Sequence, residues 1–130
     1  MALTDYRSVH EATNELYPVT YTATIVAGGT RSDVVTLDGR CPIRLLVPSG
    51  WRSKAAAVRV LVSEDGTTYR RLYDRYGTAY SITMASSRAV QVEPTDFAGV
   101  NYIRLSSCTA AGTAVTQGTV SPVGIVARLV

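Results

Sequence analysis

From Tyr21 onward the chain alternates apolar and polar positions with a period of two. Its clearest stretch is Trp51 to Gly77. Val58, Val60 and Val62 fall on one face of a pleated strand, and Ala57, Arg59, Leu61 and Ser63 fall on the other. Glu64-Asp65-Gly66 supplies a reversal in which Gly66 can take the positive φ of a type I turn with a G1 bulge. On the return, Tyr69, Arg71 and Tyr73 alternate with Thr68, Arg70 and Leu72. This predicts a β-hairpin whose second strand is amphipathic and ends at Asp74 to Gly77.

The same reading places strands at 21–27, 33–37, 43–47, 79–84, 88–93, 100–107 and 123–130, about nine in all with the hairpin. Gly28-Gly29, Asp38-Gly39 and Pro48-Ser49-Gly50 supply turns between them. Pro94 to Gly99 reads as one helical turn with Phe97 closing the end of the core. Thr109 to Gln117 is small-residued and weakly patterned, which predicts a long loop or a mobile hairpin tip. Many short strands without long helices predict an all-β, two-sheet antiparallel sandwich, jelly-roll or immunoglobulin-like.

Residues 1–20 differ in pattern. Leu3, Tyr6, Val9, Ala12 and Leu16 give a modest helical face that Thr4 or Asp5 could cap and Pro18 closes. The expected organisation is an N-terminal arm over 1–20 followed by a β-sandwich domain over 21–130. At 130 residues the chain suits one core.

The composition is that of a β-rich folded protein, and its net charge of +3 is carried by arginine, since Lys54 is the sole lysine. That charge is too small to imply nucleic acid, which is not the expected partner. No apolar run approaches the roughly 18 to 20 residues of a membrane span, and no secretory signal pattern opens the chain. Cys41 and Cys108 are expected as free buried thiols in a chain made in a reducing cytoplasm.

No catalytic set emerges, so the chain is expected not to be an enzyme. His10, the one histidine, has neither a nearby cysteine nor a nucleophile turn to serve. Glu64, Asp65 and Asp74 sit on reversals and are not spaced as an acid–base pair. Neither a zinc shell nor a D-x-D-x-D-G calcium loop is present, although Asp33, Asp38 and Asp65 lie beside turns. No metal and no cofactor is expected. The most suggestive chemistry is Thr68 to Tyr76, where tyrosine and arginine interleave. Such a strand can stack bases, form a protein interface, or simply cover a sheet.

A resemblance rests on Trp51, Ala55-Ala56-Ala57-Val58, Val60, Ser63-Glu64-Asp65-Gly66, Tyr69, Leu72-Tyr73-Asp74, Gly77, Phe97-Ala98-Gly99 and Tyr102-Ile103-Arg104-Leu105. This pattern resembles a group of small β-sandwich proteins encoded among tailed-bacteriophage virion genes, over most of 21–130. The resemblance implies a virion structural protein made in the bacterial host cytoplasm, above all a head decoration or cement protein. Its implied partners are the major capsid protein or other virion proteins, and a homo-oligomer is expected. A neck, tail or fibre component is the alternative within the virion. The S-x-D-G-x-x-Y hairpin is also similar to that of discoidin-like and other jelly-roll carbohydrate-binding modules, in which Trp51 and Tyr76 would form a sugar platform. The residues expected to touch a partner are Tyr6, Tyr17, Tyr69, Arg71, Tyr73, Arg75 and Tyr76.

Overall fold

The computed structural model describes residues 17–129. Most of the expected arm, with Tyr6 and His10, lies outside them. Among the described residues are nine strands: β1 (Val19–Ile25), β2 (Val35–Thr36), β3 (Cys41–Leu46), β4 (Ala57–Ser63), β5 (Arg70–Arg71), β6 (Ser81–Thr83), β7 (Ala89–Gln91), β8 (Tyr102–Cys108) and β9 (Ser121–Arg128). They make two antiparallel sheets packed face to face. The first runs β1-β9-β3-β7, and the second runs β2-β8-β4-β5 with β6 also paired to β4. The fold is the all-β sandwich that the alternation predicts. β1 begins two residues before Tyr21, where Val19 and Thr20 pair with Ala127 and Val126 of β9.

The inner faces meet in one core. Val58 and Val60 of β4, Ile103 and Leu105 of β8, Ile25 of β1, Leu45 of β3 and Val123 and Ile125 of β9 are all buried there. Each such side chain contributes about 1.5–3 kcal/mol by leaving water. The turn after β7 is a short 3-10 segment, Pro94–Phe97, started by Pro94 and by the Glu93 side chain accepting from the Thr95 N–H. It drops Phe97 into the core at 2% exposure, as the sequence predicts. Tyr80 meets Phe97 edge to face, with ring centroids 5.5 Å apart.

One local expectation needs correction, and two others gain detail. Asp38-Gly39 does form a tight turn, with φ of 54° and 79° and the Arg40 N–H on Leu37 O. It carries the chain from one sheet to the other, since β2 pairs with β8 and β3 with β9. Thr109 to Gln117 takes the long-loop form of the two expected, and it is tied down at Gln117. Its Gln117 is fully buried, its side-chain oxygen accepts from Arg52 N and Ser121 Oγ, and its backbone bonds to Gly28 and Gly29.

The correction concerns the hairpin itself. β4 and β5 pair only at Leu61 with Arg71 and Val62 with Arg70, so the return strand is two residues long and Tyr69 precedes it. The cause is Asp65. Its carboxylate accepts from the N–H groups of Thr67 and Thr68 and from Ser63 Oγ, and this closes a local turn with donors that a ladder would otherwise use. Gly66 has φ +80°, the left-handed conformation expected of it.

Candidate interaction face

Register fixes what the second sheet turns outward. Opposite Val58 and Val60, β4 presents Ala57, Arg59, Leu61 and Ser63. Leu61 stands between Arg71 of β5 and Arg104 of β8, while Arg59 stands between Ser81 of β6 and Ser106 of β8. Arg31 forms a bridge on the far side of Ser106. Adjacent strands lie about 4.8 Å apart, so these cations form two short rows across one surface. No Asp or Glu occupies any of these outward positions on β4, β5, β6 or β8.

The arginines are held in different ways. Arg104 donates from Nε to Ser32 O at 2.7 Å, and its guanidinium carbon lies 5.8 Å from the Tyr69 ring centre, a cation–π approach. Arg59 lies beneath the 109–115 loop, against Gly112. Arg71 is exposed. Leu61 is only 3% exposed on this outward face, consistent with long arginine stems flanking it on both sides. Two donors here are buried without a partner: Arg59 Nε and the Tyr69 hydroxyl.

Beside this face the chain makes a small finger, Leu72 to Tyr80. Leu72 N bonds to Val60 O and Tyr80 N to Leu72 O, which tie its base into the sheet. Tyr73 and Ala79 bridge across it. At the tip the Asp74 carboxylate accepts from Tyr76 N and Thr78 N, each at 2.9 Å. Tyr73 is 52% and Tyr76 79% exposed. The Arg75 guanidinium packs over the Tyr76 ring at 4.9 Å and donates to its hydroxyl at 2.8 Å. Two aromatic rings and a cation therefore stand in water on a braced hairpin.

Of the residues expected to touch a partner, Tyr69 and Arg71 share the outward face, while Tyr73, Arg75 and Tyr76 form the adjoining finger. Tyr69 is half-buried rather than solvent-facing. Tyr17 is exposed at 58% but precedes β1, in the other sheet. Tyr6 lies outside the described residues. Arg59 stands on the outward side of β4 that the alternation gives, and long-range pairing sets Arg104 and Arg31 beside it.

Trp51 cannot serve a sugar platform. It is 5% exposed, packed in the core, and its indole N–H donates to Ala55 O at 2.7 Å. Asp33 and Asp65 commit their carboxylates to backbone N–H groups, and no cluster of three or more metal-ligating side chains occurs among the described residues.

The thiols lie on different sheets. Cys41 is in the core and Cys108 is on the outward side of β8 opposite Ala57, and both are free and buried. Burial pushes the Cys108 thiol pKa up, against the opposing pull of Arg59 and Arg71.

A recess of about 520 Å³ lies on the first sheet between Arg44, Gln91, Glu93 and Arg128. Its polar groups are largely engaged with each other and with the 3-10 turn. Arg44 Nε donates to Gln91, and Glu93 accepts from Thr95.

No family model matches this chain, and no curated protein does. The crystal structure of Yersinia pseudotuberculosis-derived mitogen is similar over 87% of this chain and 86% of its own, at 14% identity and a TM-score of 0.35. So distant a likeness says nothing of function.

Proposed function

We propose that this protein is a non-enzymatic structural component of a tailed-bacteriophage virion, a decoration protein that docks on the major capsid protein and adds cohesion to the head. The resemblance supplies the virion. The observation that carries docking is the braced finger, with Tyr73 and Tyr76 held in water beside an arginine face. Tyrosine and arginine dominate binding energy at protein interfaces, and a finger already fixed by its own hydrogen bonds loses little freedom on association. Specific complexes typically bury ~800 Å² per partner, more than the finger alone presents, so docking would draw on the adjoining face as well. Binding to the assembled shell but not to its dissociated state raises the stability of the shell by mass action.

The test is imaging of intact particles from the phage that encodes this chain, with wild type and with Tyr73→Ala/Tyr76→Ala. Lattice-wide density that is lost in the double variant is the expected result. Density confined to a ring of fixed copy number at the neck or tail would assign it there instead. Absence from the particles would overturn the reading.

A further inference from the structure

We infer that the outward face of the second sheet recognises carboxylates, so that the partner surface it takes is one bearing Asp and Glu side chains. This rests on the docking reading above and names the chemistry of the partner. Three observations converge on it.

The first is charge. Arg31, Arg59, Arg71 and Arg104 fall in two rows on that face, whose outward strand positions carry no acid. Guanidinium forks match carboxylates in geometry as well as in sign.

The second is unmet hydrogen bonding. Arg59 Nε and the Tyr69 hydroxyl are buried donors without an acceptor. Native proteins rarely leave such groups unpaired, because each costs about 1–3 kcal/mol. An acceptor brought by a partner would satisfy them.

The third observation separates carboxylates from a nucleic-acid backbone. The loop from β4 to β5 sets Glu64 and Asp65 at one end of the face, and Asp65 is held ionised down to a pKa of about 2 by the N–H groups of Thr68 and Thr67 and by Ser63. Asp74 stands at the tip of the finger. A continuous phosphate track leaving the face over that loop, or sideways across the finger tip, would meet fixed negative charge. Discrete carboxylates seated between the arginines, with Leu61 beneath, would not.

The experiment measures binding of a fluorescently labelled ten-residue glutamate peptide and of a labelled single-stranded oligonucleotide of ten bases, at low and at near-physiological salt. The proteins are the full chain, Arg71→Glu, Tyr69→Phe and the charge-matched control Arg44→Glu. The expected result is peptide binding that weakens about tenfold or more in Arg71→Glu. It also weakens measurably in Tyr69→Phe, and it changes less than about threefold in the control. Tyr69→Phe is the sharper probe. It removes an unpaired polar atom, so a merely structural hydroxyl would leave binding untouched while thermal stability holds or rises.

Equal weakening in the control, tighter binding of the oligonucleotide, or no peptide binding at low salt would each overturn the inference. Should Arg71→Glu fold poorly, Arg71→Gln carries the same comparison. Particles decorated by a protein that ignores the peptide would leave docking intact and remove carboxylate recognition. Peptide binding by a protein absent from particles would do the reverse.

Discussion

Arg59 lies against Gly112 so closely that a Cβ on the glycine would stand 2.6 Å from the guanidinium Nη2. Gly112 also has φ +97°, a backbone conformation that side chains rarely adopt. Both constraints come from one event: the loop after β8 turns back over the outward face and lays its backbone on Arg59. Gly112→Ala should therefore destabilise the protein by about 1–3 kcal/mol. It should also displace Arg59 or lift the loop. Thermal unfolding measures the first effect. A variant as stable as wild type would mean that the loop rearranges without cost.

How much of this face can be read from the sequence depends on the range of the interactions involved. Local alternation places Arg59 and Leu61 on one side of β4, and Arg71 on the corresponding side of the return strand. Arg104 also alternates with Ile103 and Leu105, so its outward direction is legible. Its neighbour is not. That Arg104 stands opposite Leu61 follows from pairing between residues 43 apart, counted from 61 to 104, and no turn chemistry specifies that register. The length of β5 is hidden from the sequence for the opposite reason. The alternation is present in the sequence, but the Asp65 side chain takes the N–H groups of Thr67 and Thr68 and the ladder starts late. Trp51 is exposed only in the carbohydrate-module reading, in which it would form a sugar platform with Tyr76. Folding buries it because the carbonyl of Ala55 is at hand for its N–H.

Phe97 and Tyr80 form a second testable pair. Their rings cross at 83°, and Tyr80 also interacts with Asp96 through its hydroxyl. Phe97→Ala should cost about 3–5 kcal/mol, because it empties a fully buried site. Tyr80→Phe keeps the ring contact and loses only the hydrogen bond, so it should cost about 1 kcal/mol. Chemical denaturation of both variants checks the order. Equal losses would mean that the polar contact carries as much as the packing.

Tyr80 also has a consequence at high pH. Burial, and then the Asp96 carboxylate, push its pKa up from the ordinary 10.0. An acid raised in the folded state binds more protons there than in the unfolded chain once pH exceeds that ordinary value. Its contribution is present in full below about pH 10 and is lost as pH rises above it. Ultraviolet difference titration should find one tyrosine that ionises only on alkaline unfolding, and Tyr80→Phe should remove it. A wild type whose tyrosines all titrate together near their ordinary value would contradict this placement.

The thiols make a fourth prediction. Cys108 is 1% exposed with its pKa raised by burial, and Cys41 is 7% exposed in the core. Thiolate rather than thiol is the reactive form, so neither sulfur should react with a disulfide reagent in the native protein. Modification should proceed through unfolding and accelerate in parallel with denaturant. If Cys108→Ala left one thiol that reacted as fast as a free cysteine, burial of Cys41 would be disproved.

Asp65 governs acid behaviour at the loop that enters the candidate face. Hydrogen bonds from Thr68 N, Thr67 N and Ser63 lower its pKa from 3.8 to about 2. Between those values the unfolded chain binds more protons than the native one, so stability rises with pH across this window. The contribution is complete above pH 3.8 and disappears as pH falls through about 2. Asp65→Asn retains a carbonyl acceptor without the titration, so it should flatten the dependence between pH 4 and 2 in urea unfolding. Asp65→Ala should lower the midpoint at every pH, because the turn loses its acceptor altogether. If Asp65→Asn and wild type lost stability in parallel on acidification, the acid sensitivity would belong to other carboxylates, and the fixed negative charge assigned to this end of the face would lose its support.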